Sequence, residues 1–119
     1  MPPNRDWPTR VLDILDQATL VVEQTTGLSW QEFSSDLVMQ GNVLYRIGVI
    51  DEAIAAIPED VKARHPEVPW RDIRNMRNVV THVYFGVDLA RVWSAVRQDM
   101  PLLIRLMEAV RQSADAEGD

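Results

Sequence analysis

Val43, Ile47, Ile50, Ile54 and Ile57 recur four and three residues apart. That period fits one face of an α-helix and no face of a strand. A helix with such a stripe must bury it against other helices, so this stretch sets the fold class. Pro58 pushes the residue before it out of helical geometry, which predicts a helix end near Ile57. Upstream, "SWQE" places Glu32 three residues after Ser29. This capping-box spacing predicts a short helix that leads into the long one.

The rest of the chain repeats the same period. Val11, Ile14, Leu15, Ala18 and Val22 mark one face of a first helix from about Trp7 to Thr25, with Pro8 in its first turn and Gly27 as its stop. "PEDVKARHPEVPW" holds three prolines and reads as a short helical turn followed by a loop. A third helix begins near Pro69 or Trp70, with Ile73, Met76, Val80 and Val83 inward. "FGVD" breaks it, and Asp88 is a cap for the last helix, where Leu89, Val92, Trp93, Val96, Leu103, Leu106 and Val110 continue the stripe. Pro101 is expected to kink or restart that helix. The reading is all-α, an antiparallel helical bundle of four main helices with short extra helices. One domain is expected over residues 7–112, between a flexible N-terminus, 1–6, and a frayed acidic tail, 113–119.

Composition narrows the chemistry. Apolar residues make up 46% of the 119, enough for one core. No cysteine is present, which excludes disulfides, thiolate metal sites and cysteine nucleophiles and fits a cytoplasmic location. Two histidines, His65 and His82, argue against a histidine-rich metal site. His65 lies in the proline-rich loop, where a surface role is expected. The four tryptophans are expected to be core or interface anchors. The net charge of −6 opposes general attraction to nucleic acid. Yet residues 62–84 hold five basic side chains (Lys62, Arg64, Arg71, Arg74, Arg77) against two acidic ones, a local +3.

That basic island ends in "RNVVTHVY", residues 77–84. On a helical wheel Ile73, Met76, Val80 and Val83 fall within about 80° and face the core, while Arg77 and His82 diverge by about 140°. One ideal helix therefore cannot aim both at one atom by backbone position alone. The length of arginine, a helix end at His82, or a second copy of the chain can each bring them together. Tyr84 shares a side with His82 only if the segment is extended; Gly86 favours an unwound end, so the two are expected to share an exposed edge. A structural use is open: a histidine in a last helical turn bonds free carbonyls, and Arg77 can pair with Asp51 or Glu52. A chemical use is also open. Imidazole moves protons near neutral pH, and an arginine fork binds phosphate and offsets its growing charge. Asn78 can orient the ring, and RNA brings its own nucleophile in the 2′-hydroxyl.

"RNVVTHVY" resembles the R-x4-H-x-Y motif of HepT-like toxins in the HEPN superfamily. Arg77, His82 and Tyr84 fill its fixed places, and Asn78 matches the asparagine usual after the arginine. "TGLSWQEF", "IPEDVKARHPEVPWRDIRNMRN" and "YFGVDLARVW" also look like that family, in order, and with "RVLDILDQA" the likeness runs from about residue 7 to 110. The resemblance implies a homodimer whose motif helices line one cleft, and metal-independent endoribonuclease action on mRNA or tRNA. It implies Arg77, Asn78 and His82 as catalytic residues, with Arg74 and Arg71 beside them for RNA, and no cofactor. It further implies a type VII-like toxin–antitoxin pair, in which an MntA-like nucleotidyltransferase antitoxin uses ATP to place AMP on Tyr84. The alternative is a catalytically inactive HEPN module that binds, or is modified by, such a nucleotidyltransferase. A third reading is a purely structural helical dimer. Under any of these readings Val79, apolar on the polar side of its helix, is the expected dimer seam.

One position departs from the resemblance. "VIDEA" places Asp51 where the family usually has glycine. Glycine lets helices approach closely, whereas a carboxylate there must find a partner or solvent. Arg46, Arg74 and Arg77 are the candidates.

Overall fold

The computed structural model describes residues 6–75 and 88–117, with side-chain burial described to residue 114. Helix α1 spans Trp7–Thr25, α2 Trp30–Ser34, α3 Leu37–Ala55, α4 Glu59–Ala63 and α5 Trp70–Arg74. After residue 87 come α6, Leu89–Ser94, a π-helical turn, Ala95–Asp99, and α7, Met100–Glu117. Helix and loop are the only classes among the described residues. The antiparallel bundle is built on α1, which packs against both α3 and α7.

Local chemistry sets most of the boundaries. Pro8 sits in the first turn of α1, and Gly27 ends it with φ +86°, a conformation that favours glycine. The Thr25 hydroxyl donates to the Val21 carbonyl at 2.7 Å and that of Thr26 to Val22 at 2.6 Å, satisfying acceptors of the last turn. The capping box of α2 is complete. Ser29 Oγ accepts from the Glu32 amide at 3.0 Å, and Glu32 Oε1 accepts from the Ser29 amide at 2.9 Å. Asp36 then caps α3 by accepting from the Met39 amide at 3.0 Å.

Helix α3 stops at Ala55, a little before the expected Ile57. Pro58 is the reason, since it disfavours helical geometry at Ile57, which is nevertheless buried. Val43, Ile47, Ile50 and Ile54 are fully buried, so the sequence stripe is the core face. Each such side chain contributes about 1.5–3 kcal/mol by leaving water. In α1 the buried face includes Val21 and Thr25, and Val22 lies at its edge.

Pro101 restarts the last helix. The Met100 amide donates to the Ala95 carbonyl, a five-residue step that widens the turn just before the proline. This accommodates a ring that would otherwise clash with the preceding turn. Val92, Val96, Leu103 and Val110 remain buried through the change, while Leu89, Trp93 and Leu106 are partly buried against the core. Trp93 packs on Phe33, with ring centroids 4.9 Å apart, and Arg97 lies 4.4 Å over the Trp93 ring. Arg97 also donates to the Leu28 carbonyl, tying the π turn to the α1–α2 loop.

Candidate active site

The basic island enters the fold through α4, the proline-rich loop and α5. The loop is internally bonded: the His65 amide donates to Lys62 O at 3.1 Å, the Val68 amide to His65 O at 3.1 Å and the Trp70 amide to Val68 O at 2.9 Å. Trp70 closes it from the side, its indole N–H shared between the carbonyls of His65, 3.1 Å, and Lys62, 3.2 Å. These bonds fix where α5 begins, because Pro69 offers α5 no side-chain cap.

His65 is not a surface residue. It is 7% exposed, with Nδ1 3.2 Å from Glu67 Oε1 and Nε2 buried without a hydrogen-bond partner. A carboxylate oxygen only accepts, so Nδ1 donates to Glu67 Oε1. The expectation of a surface role failed because a proline-rich loop need not be open. This one folds back on its own carbonyls.

The island's positive charge is partly consumed. The Lys62 ammonium lies 3.7 Å from Glu59 and 6.0 Å from the Trp70 ring centroid. Arg64 reaches Asp60 at 4.0 Å. Among the described residues of the island, Arg71 is the exposed cation without an ion pair.

Asp51 resolves the departure noted in the sequence. It is 7% exposed on α3, and Arg74 Nε donates to its Oδ1 at 3.0 Å. A buried carboxylate needs such a charged donor. Arg46 points its bonds elsewhere, to Asn42 Oδ1 at 3.1 Å and to Gln17 Oε1 at 2.8 Å on α1. Arg77, Asn78, His82 and Tyr84, with Val79, lie outside the described residues, as does the shared edge expected for His82 and Tyr84. The structure thus brings Arg74 together with Asp51 and leaves Arg71 in solvent.

Beside α5 runs a groove of about 230 Å³, lined by Pro69, Asp72, Ile73, Asp99, Leu102, Leu103 and Leu106. Asp99 is exposed, and partial desolvation against the groove pushes its carboxyl above its ordinary value. The lining is mostly apolar and its two charged side chains, Asp72 and Asp99, are carboxylates, so the groove does not suit phosphate. It was not foreseen, because Asp72 and Asp99 are distant in sequence and share no local pattern.

Comparison with known proteins supplies the family. The family described as ribonuclease HepT-like matches residues 14–110, which include the whole motif, the Asp51–Arg74 junction and most of the core. The chain belongs to the HepT-like ribonuclease family. It is similar to the probable ribonuclease HepT of Thermococcus cleftensis, 37% identical over 100 residues that cover 84% of this chain and 91% of that one. It is also similar to a putative RNase of Methanocaldococcus jannaschii, 32% identical over 106 residues, 89% of this chain and 97% of that one. A second relative from Methanocaldococcus jannaschii, also bearing a putative RNase name, is 29% identical over 116 residues, 98% and 94% of the two chains. No solved structure matches this HepT-like chain. No helix among its described residues is long and apolar enough to cross a membrane.

Proposed function

We propose that the chain is a metal-independent endoribonuclease toxin whose substrate is mRNA or tRNA. The observation that carries this reading is the HepT-like match over residues 14–110, which brackets Arg77, Asn78, His82 and Tyr84. His82 takes the 2′-hydroxyl proton of RNA, and the freed oxygen attacks the adjacent phosphorus. The P–O bond to the 5′-oxygen breaks, and that oxygen leaves with a proton. Arg77 binds the phosphate and offsets its growing charge, and Asn78 orients the ring. Arg71, exposed and without an ion pair among the described residues, holds a flanking phosphate, with Arg74 beside it.

Regulation in this reading falls on Tyr84. A nucleotidyltransferase antitoxin directs the phenol oxygen onto the α-phosphorus of ATP. An O–P bond forms, pyrophosphate leaves, and the phenolic proton goes to solvent. The added phosphate and base repel RNA.

The working unit in this reading is a homodimer in the cytoplasm. Support for the dimer comes from α3, whose outward Leu37, Val38 and Tyr45 are 80%, 84% and 68% exposed. Gly41 and Gly48 lie on the same side with nothing in the space a Cβ would fill. These five positions fall within about 100° on a helical wheel, away from the core stripe. Such an apolar face suits a partner helix.

A second reading is an inactive module that serves a nucleotidyltransferase, and a buried carboxylate at position 51, where the family usually has glycine, favours it. Growth separates the two. The toxin arrests its host on expression, His82→Ala relieves the arrest, and co-expression with the nucleotidyltransferase places AMP on Tyr84, read by mass spectrometry of the peptide. Unimpaired growth with wild-type protein at full expression favours the inactive module.

A further inference from the structure

Asp51 is the charged residue among the inward side chains of α3, whose neighbours on that face are Val43, Leu44, Ile47, Ile50 and Ile54. Its carboxylate is nine-tenths buried, and one of its partners is the Arg74 Nε–H at 3.0 Å. The Arg74 side chain is 36% exposed. It therefore reaches from a buried carboxylate to the surface. One nitrogen of the guanidinium is committed to Asp51, and the two terminal NH2 groups add four more donors. Only two residues separate Arg74 from Arg77 in sequence.

We propose that Asp51 is a positioning residue, which fixes the Arg74 guanidinium so that its terminal NH2 groups take a phosphate of the bound RNA. This rests on the ribonuclease reading of the same site. The physical case has two parts. A free arginine loses rotamer freedom when it grips a phosphate, and a side chain already held by Asp51 loses less. The carboxylate also cancels one positive charge, so it lowers nonspecific attraction to RNA while sharpening orientation. A tie that only held α3 to α5 would do neither.

The two parts predict a split that a purely structural role does not give. Asp51→Asn keeps an acceptor oxygen for Nε and removes the negative charge. Its affinity for a short fluorescent single-stranded RNA should rise at low salt. The slope of log K against log salt should steepen by up to about 0.7, the share of one phosphate contact. Its kcat should fall about tenfold or more, while KM falls or stays level. Arg74→Lys keeps the charge and loses the fork, so its kcat should fall as well. Adding Asp51→Asn to Arg74→Lys should cost less than the product of the two single effects, because the two residues share the Nε–H bond of one guanidinium. Thermal melts identify any variant that fails to fold, and Arg74→Lys then carries the test alone.

The proposal is overturned if both single variants keep kcat within twofold, if their effects on kcat multiply independently, or if the salt slope is unchanged in Asp51→Asn. Wild-type protein that binds RNA but does not cleave it removes the ribonuclease reading and leaves the salt slope to decide the role of Asp51. Wild-type protein that binds no RNA overturns both.

Discussion

Helices α1 and α3 are each 19 residues long and pack against one another, yet they use their outer faces differently. Inward they are alike: Val11, Ile14, Ala18 and Val21 on α1 meet the same core as Val43, Ile47, Ile50 and Ile54 on α3. Outward, α1 is mostly polar, with Thr9, Arg10, Asp16 and Glu23 exposed. The outer face of α3 instead presents Leu37, Val38 and Tyr45 around two open glycines. The core asks only for one stripe per helix. A second apolar stripe therefore needs another explanation, and the proposed dimer offers one.

Core truncation gives the largest expected effect. Ile14→Ala on α1 and Ile50→Ala on α3 should each cost about 2–5 kcal/mol in denaturant unfolding, since both side chains are fully buried. A loss below about 1 kcal/mol at either would show that the two inner faces are not equivalent. Next comes the outer face. Tyr45→Ala should weaken the proposed dimer by about 2 kcal/mol, roughly thirtyfold in Kd, in sedimentation or light scattering. Asp16→Ala on the outer face of α1 should leave the dimer unchanged. A monomeric wild-type chain at micromolar concentration would break the comparison at this point.

The helix starts offer a smaller contrast. Asp36 caps α3 through the Met39 amide, whereas Asp6 makes no side-chain cap for α1. Asp36→Ala should therefore cost about 1 kcal/mol and Asp6→Ala a few tenths at most. Equal costs would mean that the caps do not distinguish the two helices.

The smallest effect is electrostatic and lies on the groove beside α5. Partial desolvation raises the folded-state value of Asp99 above its unfolded one. Its stabilising contribution is then complete below about pH 4 and is lost as pH rises through the raised value. Asp99→Asn should flatten the stability curve just above pH 4 and leave the protein equal or slightly more stable at neutral pH. A variant less stable at neutral pH would reverse the sign.

The fold was legible because it rests on repeated local signals. The 4-3 spacing of the α3 stripe, the Ser29–Glu32 box, Gly27 and Pro58 each act over a few residues, and each met its expected physical consequence. Pro101 was legible as a restart, although its form, a π turn over Ala95–Asp99, was not. What escaped was long-range pairing. Sequence left Arg46, Arg74 and Arg77 open as partners for Asp51, and only the packing of α3 on α5 selects Arg74 as one of them. The burial of His65 escaped for a related reason, since it depends on Trp70 closing the loop over its own carbonyls. Of the candidate site residues, Arg74 and Arg71 are placed on α5, and Arg77, Asn78, His82 and Tyr84 lie outside the described residues but within the span of the family match.

The most direct test of the ribonuclease reading is cleavage by purified protein, free of nucleotidyltransferase, on a labelled RNA in excess EDTA. Wild type should release discrete fragments, and His82→Ala, folded to the same melting temperature, should release none above background. Equal cleavage by His82→Ala, or intact RNA with unmodified wild-type protein, would contradict it.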